Sequence, residues 1–302
     1  MSRQHHIIPL VSVIAGIALF SIMDAFMKRA ALVGGVYTAL LLRSVMAGFV
    51  CMAIWLAKGG HWPRAALFRL HVLRGLVAAA MAVTFFYGLV RTPMAQAIAL
   101  SFIAPLIALY LAAVQLGEKI RREAIFASIL GFAGVLVIVA EHLTASNSSS
   151  GGGGGVPGNE AIKGIVAILF SAVLYAWNLV LQRKQAQLAS PLEVVTFQNL
   201  VVSLALLPAL PLLWQTPHLA QVADIGGAAL LATGALVLLS WGYARAEAQV
   251  LLPIEYTAFI WAALMGWLWF DESLTAPTLI GVALIVIGCW IGSRGPKVAV
   301  VV

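Results

Sequence analysis

Ten apolar stretches follow one another along the chain, at about 7–28, 36–57, 72–90, 94–115, 123–141, 161–182, 192–214, 222–244, 248–270 and 275–292. About 20 helical residues cross the ~30 Å hydrocarbon core of a bilayer. Hydrocarbon offers no partner to a backbone N–H or C=O, so each stretch must satisfy its own hydrogen bonds, which a helix does within one segment. Composition agrees: of 302 residues, 62% are hydrophobic and 10% charged, whereas about a quarter are charged in ordinary globular domains. The expected fold is an all-α membrane protein with ten transmembrane helices. The first stretch follows Arg3, His5 and His6, but it is long and ends in Asp24 and Lys28 rather than a small-residue cleavage site. It is read as a retained first helix, not a signal peptide.

The cations give the orientation. If the N-terminus is cytoplasmic, inside segments carry 13 Lys and Arg (Arg74 among them, at the start of the third stretch), outside segments carry 4, and Arg43 lies within a span. That bias places both termini inside. The net charge of +7 comes with no dense basic tract, so nucleic acid is not an expected partner. Cys51 and Cys289 fall inside apolar stretches and suggest no disulfide framework.

The stretch TASNSSSGGGGGVPGNE, residues 144–160, reads as a flexible extracytoplasmic linker. Its glycines are not followed by Gly-Lys-Ser/Thr, so a phosphate loop is not indicated. It separates five spans from five, giving expected units of 1–143 and 161–293 and a cytoplasmic tail at 294–302. A shift of 154 residues lays FYGLVRTPMAQ over SWGYARAEAQV and matches Gly88 with Gly242, Arg91 with Arg245, Glu118 with Glu272 and Gly134 with Gly288. Five is odd, so the second copy enters the membrane from the opposite side. The expectation is two inverted five-helix repeats, an architecture of secondary transporters.

The approaches to helices 4 and 9, and the terminal segments LGEKIRREAIFASILGFAGVLVIV and FDESLTAPTLIGVALIVIGCWI, resemble the drug/metabolite transporter superfamily, in its EamA-type branch. SIMDAFMKRA followed by LLLRSVMAG resembles a subgroup that includes S-adenosylmethionine uptake carriers and amino-acid exporters. The resemblance implies a central substrate path lined mainly by helices 1, 3, 4, 6, 8 and 9. It narrows mechanism far more than cargo.

Ionisable groups inside spans are costly and mark candidate sites. Asp24 lies ~25 Å along helix 1 and Arg43 ~10 Å into helix 2 from the outside, at 1.5 Å per residue. The matching depths allow Asp24 to pair with Arg43 as well as with Lys28, either as a structural bridge or as an outer gate or substrate contact. Glu255, beside Tyr256, follows Pro253, which is expected to interrupt helix 9 and free backbone carbonyls. Ser101 is its repeat equivalent. Tyr175, Asn178 and Gln182 share a helical face, and Tyr87 with Trp241 are repeat equivalents that either anchor at the interface or line the path. Glu118 and Glu272 are expected to cap loops. Gln198 and Asn199 are read as interhelical hydrogen-bonding groups.

All six histidines fall in loops or at span ends on this reading, so a buried metal site or catalytic triad is not expected, and no cofactor is implied. The expected function is a secondary transporter moving a small polar or amphipathic metabolite, amino acid or nucleotide-like, across the cytoplasmic membrane by alternating access. Protons are the candidate coupling ion and membrane lipids the surroundings. A membrane-embedded enzyme acting on a lipid-linked substrate is the alternative from another class, and a membrane scaffold the third. Substrate, direction and oligomeric state are open in the sequence.

Overall fold

The computed structural model describes residues 4–104, 106–107, 122–147, 158–186, 188–243 and 255–293. The helices are α1 (Gln4–Gly34), α2 (Val36–Ala57), α3 (Ala65–Leu89), α4 (Met94–Ser101), α5 (Arg122–Asn147), α6 (Gly158–Ala186), α7 (Pro191–Leu206), α8 (Leu219–Tyr243), α9 (Thr257–Phe270) and α10 (Ala276–Ser293). After α7 the chain continues through a 3-10 turn, Leu207–Ala209, and a short helical turn, Leu210–Leu213. Among the described residues, six helices are long and apolar enough to cross a membrane: α1, α2, α3, α6, the α7 segment as far as Leu213, and α8. Shorter apolar helices cover Ile129–Glu141, Thr257–Phe270 and Ala276–Gly288.

The ends of these helices follow local chemistry. Gly35, at φ 77, is the single residue between α1 and α2, a left-handed position that glycine occupies at no steric cost. Ser190 caps α7, its hydroxyl accepting the Glu193 N–H at 3.3 Å, with Pro191 in the first helical turn. Asp271, at φ 51, ends α9, and the Glu272 N–H returns to the Gly266 carbonyl at 3.1 Å. This is a Schellman-type stop with aspartate in the left-handed position.

Three sequence expectations shift. The third helix starts at Ala65 rather than 72, so His71 and Arg74 are helical and buried, not in a loop. The edges of the expected linker are also helical, as α5 runs to Asn147 and α6 begins at Gly158. The expected break at Pro253 lies outside the described residues, as do Glu118, Arg245 and most of the linker.

Helices from the two halves of the chain interleave. The main packing pairs are α1 with α8, α3 with α6, α5 with α10, α2 with α7 and α4 with α9. Further contacts join α1 to α9, α6 to α4, α2 to α8 and α7 to α3. Replacing each helix by the one five places away returns these nine pairs, although α5 also packs on α6 and α2 on α3, contacts with no counterpart of similar extent among the described residues. Close approach needs small residues. A Cβ on Gly88 would lie 2.6 Å from the Gly164 carbonyl oxygen, at the crossing of α3 and α6. One on Gly134 would lie 2.7 Å from Ile285 Cγ1, at the crossing of α5 and α10. By contrast, a Cβ on Gly227 would meet only Phe26 at 3.9 Å.

Gly134→Leu is therefore expected to force α5 and α10 apart, with an overpacking cost of about 1–3 kcal/mol. Gly227→Ala is expected to be neutral. Melting of the purified protein in detergent tests the contrast, and equal melting of both variants would contradict the close crossing.

Candidate functional site

Two polar layers join the halves, one at each end of the bundle. The first gathers the late part of α1 and the α3–α4 and α9–α10 turns. Lys28, 5% exposed, donates to Glu272 Oε1 at 2.5 Å and to the Thr92 carbonyl at 2.8 Å. The other Glu272 oxygen accepts the Met94 N–H at 2.7 Å, so the carboxylate caps the N-terminus of α4. An anion there meets otherwise unpaired backbone donors and the positive end of the helix dipole. The left-handed turn at Asp271 aims Glu272 inward, and Gly266 leaves space for its carboxylate.

Other pairs reinforce this end. Arg29 grips Asp224 on α8, and Arg91 holds Glu160 on α6 at 3.0 Å, while Glu160 also takes Lys163 at 2.6 Å. Gln96, Glu141, Thr275 and Thr278 link α4, α5 and the start of α10 through bonds of 2.8 to 3.4 Å.

Lys28 thus reaches across to the other half instead of pairing with Asp24 one turn below. Asp24, 9% exposed, faces Arg43 electrostatically without direct contact. The Arg43 guanidinium donates to Met23 Sδ at 3.6 Å and lies over the Phe86 ring at 5.7 Å. Arg43 is half-buried.

Deeper in, Tyr175 on α6 is 37% exposed although protein surrounds it at longer range, and it lies within electrostatic reach of Glu255. Tyr256, next to Glu255, stacks edge-on against Phe102 at 5.2 Å, bringing the start of α9 against the end of α4. Ser101 on α4 is half-buried and bonds back to the Ala97 carbonyl at 2.9 Å.

The repeat-equivalent aromatics sit differently. Tyr87 lies under the Arg91 guanidinium, 3.6 Å from ring centre, at the Lys28 end. Trp241, on α8 towards the other end, is 37% exposed. Asn199 bonds within its own helix, to the Val195 carbonyl at 3.0 Å.

Of the second layer, Asn178 alone was among the candidates read from the sequence. Arg74 donates through Nε to Asn178 Oδ1 at 3.1 Å and through Nη1 to Gln185 Oε1 at 2.5 Å. The Gln185 amide nitrogen meets His71 Nδ1 at 2.5 Å, and His71 Nε2 meets Glu193 Oε1 at 3.2 Å. The order of bonds fixes the tautomer. Gln185 uses its oxygen for Arg74, so its NH2 donates to His71 Nδ1, and the imidazole hydrogen sits on Nε2 facing Glu193. His71 also stacks on Phe197 at 4.7 Å. The i, i+3 spacing of His71 and Arg74, just ahead of an apolar run, was the available signal. Among the described residues no group of His, Cys, Asp and Glu has the arrangement of a metal site.

A bundle of apolar helices with charged groups paired across its halves fits a multi-pass membrane protein. The EamA-like transporter family matches residues 7–140 and again 162–294, and the chain belongs to that family. It is similar to the pseudopaline exporter CntI of Pseudomonas aeruginosa, at 26% identity over 283 residues, covering 92% of this chain and 93% of that one. An S-adenosylmethionine uptake transporter of Rickettsia bellii is 24% identical over 218 residues, covering 72% of this chain and 69% of that one. A crystal structure 19% identical in sequence aligns over 96% of each chain with a TM-score of 0.60, which supports the fold alone. The protein is a multi-pass membrane transporter.

The Lys28–Glu272 pair gives a direct test. Lys28→Met strands a buried carboxylate, and losing one partner of such a pair typically costs about 3–5 kcal/mol. Adding Glu272→Gln keeps an acceptor for the Met94 N–H and removes the stranded charge. Thermal unfolding in detergent is expected to show the double variant more stable than Lys28→Met alone; additive losses would argue against the pairing.

Proposed function

We propose that the protein is a secondary carrier that moves a small polar or amphipathic metabolite across the cytoplasmic membrane by alternating access. In this reading its halves are inverted repeats, both termini are cytoplasmic, and the Lys28 end faces outward. The observation that carries it is the set of ionisable and polar groups kept among the apolar helices, with Asp24 facing Arg43 and Tyr175 within electrostatic reach of Glu255. Charge kept inside an apolar bundle, at a clear energetic cost, suits a path for a polar solute. The nine helix pairs that a five-place shift returns, and the two family matches along the chain, support the repeat. The relatives named for pseudopaline export and S-adenosylmethionine uptake favour cargo of amino-acid-like or nucleotide-like chemistry.

Glu255 is the switchable charge in this scheme: a carboxylate that exchanges a proton for a cationic substrate group, or couples proton flow to transport. Purified protein in sealed proteoliposomes, screened with labelled metabolites, is expected to show saturable uptake with counter-transport. Glu255→Gln keeps the size and hydrogen bonding of the side chain but cannot ionise. Its uptake is expected to fall at least tenfold, roughly the scale of one lost charge-assisted interaction, with a flattened pH profile. An unchanged rate and profile would remove Glu255 from the mechanism, and product formation without sealed vesicles would favour a membrane enzyme.

Orientation has its own test. In a variant lacking Cys51 and Cys289, Ser148→Cys is expected to react with impermeant thiol reagents applied to intact cells, and Ser2→Cys is not. The reverse pattern inverts the topology.

A further inference from the structure

Arg74 is a buried cation that no carboxylate meets directly among the described residues. It is 5% exposed, and its two protein bonds go to neutral amides, Asn178 at 3.1 Å and Gln185 at 2.5 Å. Glu193, at the far end of the layer, is separated from it by His71 and Gln185. The remaining nitrogen, Nη2, has no partner among the described residues and is not fully enclosed. Among the described residues, the buried side-chain polar atoms that lack a partner are Ser44 Oγ and Gln221 Oε1.

Helices can be joined by neutral amide and hydroxyl pairs at far lower desolvation cost than a guanidinium carries. Here two edges of the planar fork are fixed and a third is presented at a set angle, the arrangement that recognises a carboxylate. Asn178 lies one helical turn from Tyr175 on the same face of α6, and Tyr175 lies within electrostatic reach of Glu255.

We infer that Arg74 binds the carboxylate of the transported molecule, receiving a carboxylate oxygen at its Nη2 edge, with Asn178 and Gln185 as positioning residues. The inference rests on the carrier reading above and narrows its cargo to carboxylate-bearing metabolites. With Glu255 within electrostatic reach of Tyr175 on that face of α6, a molecule carrying both an amine and a carboxylate would have a counter-charge for each group.

The test uses the full chain in sealed proteoliposomes and a pool of labelled amino acids and other metabolites. Each transported compound is then competed against its unlabelled parent and against its methyl ester, in the wild type and in Arg74→Gln and Arg74→Lys. The transported compounds are expected to carry a carboxylate, and the esters to compete about tenfold or more worse than the parents, the scale of one lost charge-assisted hydrogen bond. Arg74→Gln is expected to raise KM for the carboxylate by a similar factor and to erase the preference over the ester, and Arg74→Lys to restore part of it. A purely structural Arg74 lowers transport of all compounds alike and leaves the preference intact, which overturns the assignment. So does equal competition by ester and parent in the wild type, a comparison that holds even if the variants fail to fold. Saturable uptake confined to compounds without a carboxylate also overturns it while leaving the carrier reading standing. No saturable uptake of any compound defeats the carrier reading, and the assignment with it.

Discussion

A hydrocarbon solvent forms no hydrogen bonds, and the rest of this structure follows from that constraint. Backbone groups are satisfied within helices, and charges inside the bundle are met by other protein groups. Most of those partners come from the other half of the chain. Lys28 is met by Glu272, Arg91 by Glu160, Arg29 by Asp224 and Arg74 by Asn178 and Gln185. The apolar packing repeats this dependence, since α1, α2, α3, α4 and α5 each have a main partner from the second half. Neither half completes its own buried surface.

Helix positions were legible because each is a local property of hydropathy. The second helix runs over 36–57, as read from the sequence, since Gly35 and the turn at Lys58 punctuate it on both sides. The start of α3 was misread for a physical reason. RLHVLR looks like a cytoplasmic approach to a span, but the other half supplies polar partners for His71 and Arg74, so the helix extends two turns further and both side chains are buried. Those partners lie more than a hundred residues away in sequence, and no local pattern announces them.

The same asymmetry decided Lys28. Its spacing from Asp24 is that of an ordinary surface ion pair on a helix. A local pair of that kind is worth only a few tenths of a kcal/mol, whereas Glu272 offers Lys28 a short bond in a nearly dry setting while also capping α4. Asp24 is thereby left to face Arg43, the match that equal depth had suggested. The reading of Glu272 as a loop-capping residue was correct in kind, and its cation became visible only once the α9–α10 turn was placed against α1.

The two polar layers differ in how water would act on them. Attraction between opposite charges scales inversely with the local dielectric, so a pair that is strong when dry weakens several-fold as water enters. Each ion of such a pair also recovers solvation that burial had withheld. Lys28 and Glu272 are therefore held firmly while that end of the bundle is closed, and resist little once it has begun to open. The Arg74 layer depends mainly on amide bonds to a single cation, and a carboxylate arriving at its free edge would add an attraction that is absent when the site is empty. A carrier needs one closure that water can undo and another that its cargo can change. If Arg74 receives the cargo as proposed, that contact lies on the face of α6 that also carries Tyr175, so binding and rearrangement would share one helix.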